Sequence, residues 1–521
     1  MRRALASVLL LAAACGAGHD TVLVTVIDVP PETTALQASF RLDGADAMDP
    51  ARWPAPADGF ANTTSFVVLL PDGTTGQLEV TVVAEDDTCT AALGSAAIAL
   101  PADELQVTLG HDPPTPPQLI APYDGFDTGS PWAAATGTLR PRIRWIAAPG
   151  ASGYQVQIDD SCAGDYAACD FPTPEVDELT TVTDYRPAAD LPVSTLVPVG
   201  TRYYLRVRAC DCTTCGDWSP VRYLDVGRQR ADTNGDGYAD LVIGAPGVDA
   251  SQEDGGAAYL YVGGPTGWPA SYLLGVFGAY KPAYLGATNA WIGDLDGDGR
   301  GDLALGEYAA PDEEPTIVAA GRTLVYRGIT DANPPLFVYS PSPVPNGYFG
   351  TRIAGCDLDG DGYSDLVAGA NFEEDNAAEP DSGHVHVFGG SPQGVAELVT
   401  LDNPLADQMT GLFGTDLSCD GDVNGDGYPD LAVGAPGQDG ARGAVYIYFG
   451  GPGGPTDAPS QTLLPPEDQP GAYFGSGVVL GDLDDDGYAD LVAGASVWSN
   501  GAVDGGGAFY FPGGPDGLAA A

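Results

Sequence analysis

Cations are scarce in this chain. Lysine and arginine together number 20 in 521 residues against 72 aspartates and glutamates, a formal net charge of −52. So negative a surface excludes nucleic acid as a partner, because a phosphate backbone needs clustered basic residues to meet it. The same field opposes adsorption to anionic membranes and suits salt-rich or calcium-rich surroundings. Histidine is nearly missing as well, with four in all. No Gly-x-Ser-x-Gly elbow, His-Glu-x-x-His pair or phosphate loop is spelled, so the familiar hydrolase and nucleotide chemistries have no visible seat. Long apolar runs are also lacking. The run from Ala4 to Ala14, behind Arg2 and Arg3, is too short to cross a bilayer and reads as a secretory signal ending near Cys15.

Turn residues and aspartate are abundant. The chain has 72 glycines and 45 prolines, the composition of many short strands joined by turns. The aspartates fall into five near-identical nonapeptides: DTNGDGYAD from Asp232, DLDGDGRGD from Asp294, DLDGDGYSD from Asp357, DVNGDGYPD from Asp422 and DLDDDGYAD from Asp482. They recur every 60 to 65 residues, a period that means stacked or circularly arranged units, since one such unit cannot bury its apolar face alone. Oxygen-bearing side chains stand at places 1, 3, 5 and 9 of each copy, glycine at place 6, and place 7 can offer a backbone carbonyl. Carboxylates crowded in this way repel one another, and a hard divalent cation taking 6–8 oxygens at about 2.3–2.6 Å relieves the repulsion. An EF-hand would need a bidentate Glu at place 12, where Ile243 and Ala368 stand in the first and third copies. After each loop comes an apolar run ending in glycine, such as LVIGAP from Leu241 and LAVGAP from Leu431, and later a second run such as AVYIYFGG from Ala444. Each loop is therefore expected to lead into a strand.

Phe349-Gly350, Phe413-Gly414 and Phe474-Gly475 precede the later loops, with Leu285-Gly286 in the second copy. The succession of Phe-Gly, acidic loop and Gly-Ala-Pro resembles the FG-GAP repeat of the integrin alpha-chain N-terminal β-propeller and its bacterial relatives, over residues 228–521. The resemblance implies four-stranded blades with Ca²⁺ in about five loops. Carried over by position, the ligands are Asp232, Asn234, Asp236, Tyr238 and Asp240; Asp294, Asp296, Asp298, Arg300 and Asp302; Asp357, Asp359, Asp361, Tyr363 and Asp365; Asp422, Asn424, Asp426, Tyr428 and Asp430; Asp482, Asp484, Asp486, Tyr488 and Asp490. The seventh residue of each loop would contribute its carbonyl. Integrin-like propellers have seven blades, and this stretch holds about five repeats: a closed ring of five, an open one completed by another chain, or a truncated product.

The expected class is all-β throughout. Residues 1–15 form a signal peptide whose Leu11-Ala-Ala-Ala-Cys15 resembles a bacterial lipoprotein signal, which implies lipidation of Cys15; simple cleavage is the alternative. Alternating runs such as Thr21–Val26, Ser65–Leu70 and Leu78–Val83 predict a β-sandwich over 16–112. After the stiff Pro113–Pro117 break, residues 113–227 resemble a fibronectin type III domain, with Trp145 and the Tyr204 region expected in its core. For the cysteines, local Cys162–Cys169 and Cys210–Cys215 bridges are the simple pairing in an exported chain; a zinc knuckle at Cys210, Cys212 and Cys215 lacks a fourth ligand. Cys356 and Cys419 lie in equivalent strands of adjacent repeats and form either a bridge or two buried thiols, and Cys89 has no evident mate. His384 and His386 share one side of a strand and read as a surface pair in preference to a transition-metal site. Arg300-Gly301-Asp302 spells an integrin-recognised tripeptide, but Asp302 should be engaged in its own loop.

These observations point to a calcium-stabilised cell-surface or outer-membrane protein, or a secreted one, that is not an enzyme and binds a surface protein or glycan. The insertions Asp249–Gly256, Pro311–Gly321 and Phe372–Gly383 are the candidate contacts. A surface hydrolase or carbohydrate-active enzyme on the same scaffold and a purely structural envelope protein are the alternatives.

Overall fold

The computed structural model describes the strands between residues 19 and 108 and, from 113 to 519, all but 133–137, 163–165, 212–213, 313–316, 330–333, 374–381, 406–410 and 500–503. The signal, Cys15 and Cys89 lie outside the described residues. Nearly every described element is a strand; the short helix Gln438–Ala441 and the single 3₁₀ turn Tyr166–Ala168 are the exceptions.

The N-terminal strands form two sheets. His19–Ile27 lies between Thr63–Pro71 and Glu104–Thr108, while Ala35–Leu42 and Gly76–Glu85 sit at the centre of a second sheet flanked by Ala45–Pro54 and Thr90–Leu100. Burial follows the alternation read in the sequence: Val24 and Val26, then Leu36, Ala38 and Phe40, then Leu78, Val80 and Val82 are the inward residues.

Between residues 119 and 226 a three-stranded and a six-stranded sheet share one core. Trp145 meets Tyr154 edge-on at 5.2 Å inside it. In Thr201–Cys210 the core face carries Tyr203, Leu205, Val207 and Ala209. The region around Tyr204 thus lies in the core as expected, with Tyr204 itself half-buried on the other face, beside Tyr166. The period of two decides this: placing Leu205 and Val207 inward turns Tyr204 outward.

From residue 241 onward the chain makes five successive antiparallel sheets, one per repeat. The second runs Asn289–Gly293, Asp302–Glu307, Arg322–Tyr326, Leu336–Tyr339; the third Arg352–Cys356, Asp365–Ala370, His384–Gly389, Ala396–Asp402; the fourth Asp416–Ser418, Leu431–Ala435, Ala444–Tyr448, Gln461–Leu463. The first (Leu241–Ala245, Ala257–Tyr261, Leu274–Phe277) and the fifth (Phe474–Gly481, Asp490–Ala495, Gly507–Phe511) have three strands each. The first strands of sheets two to five lie side by side in chain order. Central strands are buried on both faces, because each sheet is covered by its neighbours; Asp365–Ala370 and Leu431–Ala435 show no exposed position.

The Phe-Gly pair stitches each sheet to the one before it. Leu285, Phe349 and Phe474 form parallel bridges to Gly256, Gly321 and Gly443 of the preceding sheet. The following glycine adopts a positive φ (Gly286 83°, Gly350 84°, Gly414 83°, Gly475 86°), and its carbonyl faces a strand glycine of the previous sheet. A Cβ on Gly244, Gly306, Gly369 or Gly434 would stand 1.9–2.5 Å from that carbonyl. The two glycines of the motif thus serve one purpose, the close approach of adjacent sheets. Phe349, Phe413 and Phe474 are fully buried beside them.

Three disulfides occur among the described residues: Cys162–Cys169, Cys210–Cys215 and Cys356–Cys419. The last joins sheet three to the start of sheet four.

Candidate metal centres

All five acidic loops close by the same hydrogen bonds, which follow from their spelling. The first Asp turns its carboxylate back onto backbone N–H groups four and five residues on: Asp232 accepts from Asp236 at 3.0 Å and Gly237 at 2.6 Å, and Asp422 from Asp426 at 3.2 Å and Gly427 at 2.7 Å. Asp357 and Asp482 do the same, and Asp294 accepts from Gly299. The fifth residue, Asp236, Asp298, Asp361, Asp426 or Asp486, accepts the N–H of the seventh, which is Tyr238, Arg300, Tyr363, Tyr428 or Tyr488. The ninth residue bridges two places. Asp240, Asp302, Asp365, Asp430 and Asp490 each accept the N–H of the loop's second residue on one oxygen, and on the other a glycine N–H just past the strand that pairs with the one leading out of the loop (Gly263, Gly328, Gly390, Gly450, Gly513). Asp302 is therefore fully engaged and buried, and the Arg-Gly-Asp tripeptide does not present its carboxylate.

These bonds bring the predicted side chains together. In three loops, one oxygen from each of three carboxylates lies within 4.8 Å of the others: Asp294, Asp296 and Asp302; Asp357, Asp359 and Asp361; Asp482, Asp484 and Asp490. In the other two, Asn234 and Asn424 occupy the third place and donate to Asp236 and Asp426 at 3.0 and 2.9 Å. Burial raises the first carboxyls, aided by neighbouring acids: Asp232, Asp294 and Asp422 to about 6 and Asp357 to about 8. Asp302, Asp365 and Asp430 are pushed well above the usual range, again chiefly by burial. Oδ1 of Asp294 is buried without a hydrogen bond. A donor set made only of hard oxygens, desolvated and mutually repelling, fits a divalent cation of the Ca²⁺ type.

The loop end of the five sheets is covered by residues 113–230, a contact that sequence reasoning missed. Val199 N–H and Trp132 Nε1 donate to the carbonyls of Gly235 and Asp236, both at 2.8 Å, and Trp132 stacks on Tyr238. Arg228 lies 3.6 Å from Asp294. In the third loop, Tyr166 and Arg202 donate to the carbonyls of Gly360 and Gly362, and Tyr223 donates to Asp357 at 2.5 Å. Asp124 N–H donates to Gly427 O at 2.8 Å, and Arg222 to Gly425 O at 3.1 Å. Arg142 and Arg144 pair with Asp485. The available signal was charge: in so acidic a chain, eight arginines fall between Arg140 and Arg222. Replacing Tyr223 by Phe removes a bond to a carboxyl buried at this junction and is expected to cost about 1–3 kcal/mol. Differential scanning calorimetry checks it, and an unchanged midpoint would mean that the junction carries no stability.

At the opposite ends of the same strands the loops carry rings. Tyr284 stacks on Tyr308 at 5.4 Å, Tyr308 meets Tyr348 edge-on at 5.6 Å, and Tyr348 meets Phe372 at 5.5 Å. They line a hollow of about 770 Å³ with Pro311, Val318, Asn346 and Asn371. Pro311, Val318 and Phe372 belong to the described parts of two of the insertions singled out in the sequence; the third, Asp249–Gly256, lies at the same strand ends.

His384 and His386 prove to be buried and not a surface pair. Their strand is covered on both faces, and Glu373 from the preceding insertion closes over them at 2.7 Å from His386.

A family model described as "FG-GAP repeat" matches residues 231–261, 349–388 and 413–448. These are the first, third and fourth repeats. The chain is 36% identical over 225 residues to Integrin alpha-PS2 of Drosophila melanogaster, covering 41% of this chain and 15% of that one. It is 32% identical over 207 residues to Integrin alpha-5 of Xenopus laevis, covering 37% and 19%. It is 39% identical over 164 residues to Integrin alpha-IIb of Mus musculus, covering 30% and 16%. The chain thus spans less than a fifth of the length of these curated relatives.

Proposed function

We propose that this chain, which carries FG-GAP repeats and is similar to integrin alpha chains, is a calcium-stabilised β-propeller at the cell surface that binds a surface protein or glycan. In this reading residues 16–112 are a β-sandwich, 113–227 a fibronectin type III-like domain and 228–521 a propeller of about five repeats, with a lipid on Cys15 as anchor. The five successive sheets, their adjoining first strands and the repeat match support the propeller. Ca²⁺ would be held by places 1, 3, 5, 7 and 9 of each loop, where it neutralises desolvated carboxylates and so contributes its binding energy to folding.

One observation carries the recognition role: the two ends of the strands are chemically unlike, and among the described residues none of 113–230 lines the hollow at the ring-bearing end. The acidic end is occupied by the chain's own residues 113–230, whereas the other carries a ring-lined hollow of a volume usual for ligand sites. Tyrosine offers rigid, amphipathic contact area at small entropic cost, and the flanking amides of Asn346 and Asn371 supply direction. The arrangement suits a protein side chain or a sugar ring laid against Tyr308 and Tyr348.

The test is binding of the full calcium-loaded chain to arrayed glycans and surface proteins. Tyr308→Ala and Tyr348→Ala are expected to weaken the recovered interaction at least tenfold, the size of an interface anchor's loss, while Arg142→Ala at the acidic end leaves it unchanged. Binding that survives both tyrosine changes and fails in the arginine variant would move recognition to the acidic end and overturn the reading.

A further inference from the structure

A second cluster of ligating side chains lies outside the acidic loops. Glu373, His384 and His386 are all at least nine-tenths buried, and one oxygen or nitrogen from each lies within 4.8 Å of the others. His384 and His386 project from one side of the strand His384–Gly389, and Glu373 stands at the head of the loop leading into it.

The hydrogen bonds fix which atom of each ring faces inward. Thr400 Oγ1 lies 3.0 Å from Glu397 Oε1 and 2.8 Å from His386 Nδ1. That hydroxyl can give its single proton to the carboxylate, which can only accept. In the tautomer this selects, His386 donates Nδ1–H to Thr400 and Nε2 turns its lone pair toward Glu373 Oε2 at 2.7 Å. Ser340 Oγ donates to the other oxygen of Glu373. His384 Nδ1 stands 3.8 Å from the same Oε2, too far for a hydrogen bond, and its Nε2 faces Asp402 at 3.5 Å.

We propose that Glu373, His384 and His386 form a binding site for a borderline transition-metal ion such as Zn²⁺, separate from the calcium loops. Each imidazole directs one nitrogen at the shared oxygen while an oxygen stands at the other, Thr400 within hydrogen-bond distance of His386 and Asp402 at 3.5 Å from His384, the placement that orients metal-binding histidines. Tetrahedral ligands at about 2.0–2.2 Å from the ion stand about 3.4 Å apart, between the two nitrogen–oxygen separations found here. Two neutral nitrogens and one carboxylate select such an ion over Ca²⁺, which prefers an all-oxygen shell.

The probe is Co²⁺, added to the full chain in excess Ca²⁺. One equivalent is expected to bind with visible d–d absorption, to be displaced by Zn²⁺, and to weaken on the order of a hundredfold in His384→Ala. Glu373→Gln, which keeps the shape of the site, is expected to weaken it at least tenfold with the calcium-dependent melt unchanged. If the wild-type chain binds no Co²⁺ in excess Ca²⁺, or if both variants keep the wild-type absorption, Glu373 and His386 share only a hydrogen bond and the proposal fails.

Discussion

Metal-free protein at pH 7.5 is expected to melt on the order of 20 °C below the calcium-loaded form, and the gap should close as the pH falls toward 5. A site occupied at a hundredfold over its dissociation constant adds about 2.7 kcal/mol, and three or more such sites move the midpoint by that order in a domain of this size. The pH dependence follows from the first carboxyls. Without metal, Asp232, Asp294 and Asp422 are raised to about 6 and Asp357 to about 8, chiefly by burial, while unfolded Asp titrates near about 3.9. Between those limits the folded form binds more protons than the unfolded one. Its stability is therefore greatest below the unfolded pKa and is lost as the pH rises through 6 and then 8. A bound cation holds the same groups ionised and reverses the sign, so the loaded protein weakens on acidification. Calorimetry from pH 5 to 8, with and without Ca²⁺, checks this; parallel curves with no separation at neutral pH would show that the loops close without metal.

The second large effect is expected from Cys356–Cys419. The bridge spans 63 residues, and the chain-entropy relation assigns such a loop about 4 kcal/mol, against about 2 kcal/mol for the 7- and 5-residue spans of the other two bridges. Replacing both cysteines by Ala should lower the midpoint by about 10 °C, more than the loss of either local bridge. Peptide mapping without reductant should recover the two cysteines joined. If they are recovered separately, or if the double variant melts like the parent, the two sheets are held by their shared core and Phe-Gly contact without the bridge.

The repeats were legible because their chemistry is local. The bonds inside each nonapeptide join residues at most seven apart, so the spelling of Asp357–Asp365 contains most of its own geometry. The Phe-Gly pair could be located in the same way, although the reason for its glycine, a carbonyl of one sheet against a glycine of the previous one, needs two repeats in space. The arginine-lined junction was not legible, since Tyr223 and Asp357 are 134 residues apart and no periodicity links them. His384 and His386 failed for a different reason. Alternation reports an exposed face only when one face of a sheet meets water, and here His384–Phe388 is buried on both. Glu373, the residue that gives the pair its chemistry, enters through a loop. The Tyr204 region shows the converse: the strand was legible from its apolar run, and which of its residues face the core follows from the period of two.

The position of residues 113–230 has a mechanical consequence. The hollow lined by Tyr308 and Tyr348 and the chain leading to the N-terminus lie at opposite ends of the same strands, so a pull between a held ligand and a held N-terminus passes through the acidic loops in series. The load then crosses backbone carbonyls of Gly235, Gly360, Gly362, Gly425 and Gly427, shared among several short bonds in parallel. A cation that holds the loops rigid would raise the force at which those shared bonds let go.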